Sequence, residues 1–336
     1  MCKQECMSME PLLHHDLVER IMEMLPVKSL LRFKAVSKQW QSTIESRYFQ
    51  KSQLNHREQS RDPDVLMNTF YSVCGNSCDG LVCLYHSDLC FAVNPATRWH
   101  RTLPRCHFQQ NKSILGTYNV GFGKDKLTGI YKPVWLYNAV GPGREEATTC
   151  ERFDFSTNTW RFITTASAPY WISSYYDPVY VDGKLHWFTQ CKEPKVLSLD
   201  LHTENFQVIS NVPFANVVPY NNNIVMCNLD NRLSVSQKTM SEQVIWLFSS
   251  GNKTWNKLCS IDLELTSLQF DIHISIPFLP LALWERRKKK KLLLCPTDFG
   301  RTLVIHDLET KSYDAPFSAE SIGYPVCYFQ SLISIL

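Results

Sequence analysis

The chain lacks a long hydrophobic run. Its apolar stretch Ile276 to Trp284 holds nine residues, two of them proline, well short of the roughly eighteen or more that a membrane-spanning helix needs, so no membrane partner is expected. A secretory leader is not expected either: Met1 to Met9 contains Lys3 and Glu5 and has no apolar core. Without a leader, the thirteen cysteines are expected as reduced, buried small hydrophobes of a protein of the cytoplasm or nucleus rather than as disulfides.

A dispersed basic surface is missing as well. Residues 62–336 hold twenty-five Lys or Arg against twenty-five Asp or Glu, and six of those bases form the single run Arg286-Arg287-Lys288-Lys289-Lys290-Lys291. A nucleic-acid groove needs bases spread over one face and interleaved with aromatics, so nucleic acid is not an expected partner. The run is expected as the solvated tip of a loop joining two strands, with nuclear import or an anionic partner as its other uses.

No catalytic or metal-binding set emerges. Cys74, Cys78, Cys83, His86 and Cys90 lie close together but repeat no paired-knuckle spacing, which favours structural cysteine over zinc. Gly121-Phe122-Gly123 lacks the further glycine and the strand-to-helix setting of a nucleotide loop. His14-His15 has no carboxylate at ligand spacing, and Asp79, Asp182 and Asp230 fall in turns. No cofactor and no enzymatic activity are expected.

What is present begins with a helical segment. Leu17, Ile21 and Met24 or Leu25 recur at i, i+4, i+7 and i+8 with charged residues between them, and Asp16 with Glu19 has capping-box spacing. This predicts a helix from Leu17 to Leu25, stopped by Pro26. Ser29 is expected to cap a second helix carrying Leu30, Phe33 and Val36, and Ser37 a third carrying Trp40 and Ile44. Such a short helical unit exposes nearly as much surface as it buries and needs something to lean on.

From about residue 70 the helical period disappears and short apolar strands alternate with turns. One hairpin ending recurs five times: Phe91 to Trp99, Phe153 to Trp160, Leu199 to Phe206, Trp246 to Trp255 and Ile305 to Tyr313. Its closing aromatics are spaced by 61, 46, 49 and 58 residues, a loose period near that of kelch-like blades. Asp79-Gly80, Asp182-Gly183 and Asp230-Asn231 add tight hairpin turns. Four-stranded sheets packed radially are the expected outcome, a propeller of five or six blades, the sixth hidden in Leu263 to Trp284. The apolar terminus Val326 to Leu336 is expected to pair with the strands around Cys78 to Tyr85 and close the ring.

Two sets of residues resemble known families. Leu13, Asp16-Leu17-Val18, Ile21, Leu25-Pro26-Val27-Lys28-Ser29-Leu30-Leu31-Arg32-Phe33, Val36-Ser37-Lys38, Trp40, Ser42 and Ile44 resemble the F-box of plant F-box proteins, with His14, Ala35 and Ser37 standing where the family has a proline and two cysteines. Ser77 to Leu84, Asn94 to Arg98, Gly121 to Asp125, Asp154 to Arg161 and Asp182 to Trp187 follow the order of the plant F-box-associated domain. The resemblance implies a tail at 1–10, an all-α F-box of three helices at 11–52, a linker at 53–69 and an all-β, propeller-like substrate-recognition domain at 70–336. It further implies that Leu13, Leu17, Ile21, Leu25, Pro26, Leu30, Val36 and Trp40 contact a Skp-type adaptor and, through it, a cullin.

The expected role is that of a non-catalytic receptor in a Skp-cullin-F-box ubiquitin ligase, binding an unidentified target protein. The alternative is a carbohydrate- or small-ligand-binding propeller whose helices only cap it. Longer loops at Tyr137 to Thr149, Ser167 to Asp177 and Pro213 to Asn223 are candidate recognition segments, and Tyr170, Trp171, Tyr175 and Tyr176 are candidate target contacts because such aromatics are enriched in binding hot spots.

Overall fold

A computed structural model describes residues 15–60, 63–68, 72–73, 77–86, 88–111, 115–140, 148–163, 170–191, 193–209, 211–214, 223–270, 277–286, 289–296, 302–318 and 324–335. Four helices come first: α1 (His15–Glu23), α2 (Val27–Phe33), α3 (Lys38–Glu45) and α4 (Arg47–Ser60). Ser37 caps α3, its Oγ accepting the Trp40 N–H at 3.1 Å. The other two caps differ from expectation. Asp16 lies inside the first turn of α1, where a carboxylate still favours the positive end of the helix. Pro26, not Ser29, is the N-cap of α2, since a residue with fixed φ and no amide hydrogen loses nothing at a helix start.

The fourth helix corrects the expected organisation. Residues 53–69 are not a linker: α4 runs on to Ser60, and Asp64–Asn68 forms strand β1. The sequence of α4 is polar, and its buried residues are Phe49, Gln53 and Leu54, so it offers almost no apolar period to read.

Five antiparallel four-stranded blades follow, each in chain order. Blade one holds β2 (Ser72–Val73), β3 (Val82–His86), β4 (Leu89–Asn94) and β5 (Trp99–Leu103). After a short helix α5 (His107–Gln110), blade two holds β6 (Leu115–Lys124), β7 (Tyr131–Val140), β8 (Thr148–Asp154) and β9 (Thr159–Phe162). Blade three holds β10 (Val179–Val181), β11 (Lys184–Phe188), β12 (Val196–Asp200) and β13 (Phe206–Ile209). Blade four holds β14 (Ile224–Leu229), β15 (Arg232–Lys238), β16 (Glu242–Ser249) and β17 (Thr254–Asp262). After α6 (Leu263–Phe270), blade five holds β18 (Phe278–Arg286), β19 (Lys289–Pro296), β20 (Thr302–Asp307) and β21 (Tyr313–Ser318). Leu263 to Trp284 therefore supplies a helix and the first strand of blade five, not a sixth blade.

The five repeated hairpin endings are the turns between third and fourth strands, and the Asp-Gly and Asp-Asn pairs join first to second strands with both residues at φ between 46° and 81°, as two-residue hairpins require. The last strand, β22 (Tyr324–Tyr328), pairs with β1, Asp64 opposite Tyr328 and Asn68 opposite Tyr324. This replaces the expected pairing with Cys78 to Tyr85, because both edges of β3 are already taken by β2 and β4. The two-stranded sheet is wedged between the last blade and the first. Val65, Met67 and Cys327 pack on blade five, while Leu66 and Val326 pack on Val82, Leu84 and Val93 of blade one, the alternation that a strand imposes.

Because neighbouring strands run in opposite directions, the turns joining first to second and third to fourth strands share one end of the propeller. The other turns, and the blade-to-blade connections, share the opposite end. The N-terminal helices sit at the first of these, here the near end: Ala96 from a blade-one turn and Leu332 from the chain's tail pack with Met22, Val27, Leu30, Ile44 and Phe49.

Candidate functional site

The helical module has two apolar faces. One is spent on the fold. Met22, Val27, Leu30, Ile44 and Phe49 are sealed against Leu332 and Ala96. The other is open: Leu17 is 49% exposed, Ile21 43%, Met24 56% and Val36 60%, against 0% for Leu30. Leu17, Ile21 and Met24 follow at i, i+4 and i+7, so α1 and the turn that ends it, where Met24 N–H donates to Ile21 O at 3.2 Å, present them along one stripe. The N-terminal ends of α1 and α3 lie side by side, with His15 Nδ1 and Gln39 Nε2 3.4 Å apart. Pro26 is exposed; Leu25 and Trp40 are half-buried, and the Trp40 ring is tilted against Phe33 at 5.3 Å. Leu30 is thus removed from the expected contact set, and Leu13 lies outside the described residues.

The three long loops expected to recognise a target all attach at the far end: Tyr137 to Thr149 joins β7 to β8, and the other two connect blades two to three and three to four. Their residues 141–147, 167–169 and 215–222 lie outside the described residues. The described aromatic segment is held by two buried asparagines of blade two. Asn119 Nδ2 donates to the carbonyls of Ser173 at 2.8 Å and Tyr176 at 3.0 Å. Asn138 Nδ2 donates to Ile172 O at 2.8 Å while its Oδ1 accepts Ile172 N–H at 3.1 Å. On this clamped backbone the four aromatics part company. Tyr176 turns inward onto Phe188, ring centroids 5.2 Å apart, and belongs to a packed cluster of blades three and four. Tyr175 is exposed; Tyr170 and Trp171 are half-buried. The Lys195 ammonium lies 4.6 Å from the Tyr170 ring centroid and donates to its hydroxyl at 3.1 Å.

Charged groups at the near end are occupied in holding blades together. Asp79 of blade one accepts from Tyr131 Oη at 2.7 Å and pairs with Lys124 of blade two. Glu204 takes both oxygens' worth of bonds from Arg161 at 2.8 Å and lies 3.3 Å from Lys132 Nζ, joining blades two and three. Burial alone would raise the Asp125 pKa, but hydrogen bonds from Thr128, His202 and the Leu127 N–H outweigh it and hold this carboxylate well below the usual range. Of the clustered cysteines, Cys78, Cys83 and Cys90 are buried, with the sulfurs of Cys83 and Cys90 3.6 Å apart, and Cys74 lies outside the described residues. Among the described residues no group of three or more His, Cys, Asp or Glu is placed to hold a metal ion.

The F-box associated beta propeller domain is the family whose pattern matches this chain, over residues 23–335. The chain belongs to the plant F-box proteins with an F-box-associated domain. This F-box protein is 52% identical to an F-box/LRR-repeat/kelch-repeat protein of Arabidopsis thaliana, with 99% of each chain covered. It is 43% identical to an F-box protein of the same organism over 97% of this chain and 100% of that one, and 45% identical to another over 98% and 86%. The sequence pattern offers Met24 or Leu25 at the end of the stripe, and the adaptor set implied by the resemblance names Leu25; the structure leaves Met24 the more exposed of the two. Sequence reasoning missed Asn119 and Asn138, whose strand positions carry no signal that their amides reach the next blade.

Proposed function

We propose that this F-box protein is the substrate-recognition subunit of a Skp-cullin-F-box ubiquitin ligase of the cytosol or nucleus. The observation that carries this reading is the division of the helical module: one apolar face is buried on the propeller, so Leu17, Ile21, Met24 and Val36 remain exposed among the described residues. A stripe of exposed large apolar residues along one helix is the kind of surface that marks an interaction site. The adaptor covers this stripe, with Pro26 and the half-buried Leu25 and Trp40 at its margin. The propeller holds the target at its far end, where Tyr170, Trp171 and Tyr175 edge a backbone already fixed by Asn119 and Asn138. The protein does no bond chemistry; it raises the effective concentration of the target near a ubiquitin-loaded enzyme.

Co-purification of the full chain with a Skp adaptor tests this. The wild type should retain the adaptor and Ile21→Asp should lose it while melting at the same temperature. Failure of the wild type to retain any adaptor would rule out the ligase role.

A further inference from the structure

A second surface is charged rather than apolar. Between blades four and five, at the near end, lies a cavity of 560 Å³, within the roughly 300–1,000 Å³ of pockets that hold ligands. Its cations are Arg232, Lys257 and Lys290, its one carboxylate is Glu309, and Leu258 and Leu308 contribute apolar floor. The three cations come from three different strands, β15, β17 and β19, so their convergence is a product of the fold and not of a local sequence run. The turns that bring Ser249 and Glu309 to the cavity also carry Lys253 and Lys311, both exposed. Lys290 belongs to the six-base run, in which the backbone of Arg286 pairs opposite Lys289. Arg232 also faces Asp230 at 3.7 Å, a half-exposed pair whose attraction solvent weakens, so a partner's carboxylate can compete for it. Outside that run, acids outnumber bases in residues 62–336, so this groove is a positive site on a negative body.

We propose that the groove binds an acidic, partly apolar segment of a protein partner, its Asp and Glu carboxylates meeting Arg232, Lys257 and Lys290 and an apolar side chain covering Leu258 and Leu308. The inference goes beyond the receptor reading: the groove lies at the near end, opposite the loops proposed to hold the target, and is a separate contact of the same receptor. A nucleic-acid backbone is a poorer occupant, because a polyphosphate chain has nothing to place on the leucine floor. Charge complementarity of this kind sets partner choice and encounter rate more than raw affinity, so the interaction should be salt-sensitive.

The test is fluorescence anisotropy of the full chain with a short fluorescein-labelled peptide of Glu, Asp and Leu. Binding is expected, weakening as salt is raised, and about tenfold or more weaker in Lys257→Glu/Lys290→Glu. Both lysines are exposed, so the double reversal should leave thermal unfolding unchanged, and Lys238→Glu, from the far end of blade four, should leave peptide binding unchanged. No binding by the wild type, equal binding by the double reversal, or displacement of the peptide by duplex DNA at lower concentration than by unlabelled peptide would each overturn the proposal. Adaptor co-purification on the same variants separates the two readings: lost peptide binding with adaptor retained concerns the groove alone, whereas an absent adaptor concerns the receptor role.

Discussion

The Asn94 side-chain amide donates to the Ser331 carbonyl at 2.9 Å, joining residues 237 positions apart, and also to the Ile333 carbonyl at 2.9 Å. Its Oδ1 meanwhile accepts the N–H groups of Ala96 and Thr97. One carboxamide thus shapes a blade-one hairpin and ties down the tail whose Leu332 completes the helical core. Propeller and F-box are fused through this point.

Asn94→Asp keeps the turn-capping oxygen and removes the donor, leaving two carbonyls and a carboxylate facing one another in a fully buried place. It should destabilise the chain by roughly 2–3 kcal/mol. Asp154→Ala, at the equivalent turn of blade two, loses bonds to Ser156 at the surface and should cost about 1 kcal/mol or less. Urea denaturation of the two variants compares them; equal losses would show that the tail clamp contributes nothing.

Gly80 and Gly129 both have positive φ, 77° and 72°, yet they should respond differently to alanine. A Cβ at Gly80 would lie 2.6 Å from Ser331 Oγ, while one at Gly129 meets nothing within 4 Å. Gly129→Ala should cost about 1 kcal/mol, the backbone strain alone. Gly80→Ala must also push the tail away and should cost several times as much, read as the difference in denaturation midpoint.

His186 is buried in blade three with Ser198 Oγ 3.0 Å from its Nδ1. Burial, helped by the charge of Lys184, lowers its pKa from 6.5 to about 3, so the unfolded chain binds a proton that the folded chain refuses. Stability is therefore full above pH 6.5 and falls as pH drops from there toward 3, by about 2 kcal/mol at pH 5 from this group. His186→Gln should flatten the dependence of the urea midpoint between pH 7 and pH 5. An unchanged slope would mean that His186 does not carry it.

The blades were legible because each hairpin announces itself through residues that its backbone demands: Asp182-Gly183 for a positive-φ turn, Asp200 or Asp307 for a side chain that bonds back to the turn, Trp160 or Tyr313 for the start of the outer strand. The closing sheet was not, since β1 is five residues long and its partner lies at the other end of the chain. Helical period in the F-box found the apolar positions but could not sort Leu30 from Leu17. Each lies on the apolar face of its own helix, and only the arrival of Leu332 from the chain's tail decides which face is sealed. Tyr176 could not be told from Tyr175 for a like reason: neighbouring aromatics in a loop look alike until Asn119 fixes the backbone and one of them packs onto Phe188.

The most direct test of the division between buried and open faces is titration calorimetry of a Skp adaptor into the full-length protein, with Leu17→Asp and Leu30→Ala measured beside the wild type for binding and for stability. Leu17→Asp should weaken adaptor binding by about a hundredfold, some 3 kcal/mol, with an unchanged urea midpoint, while Leu30→Ala should lower stability by about 2–5 kcal/mol. Adaptor affinity indifferent to Leu17→Asp would contradict the account.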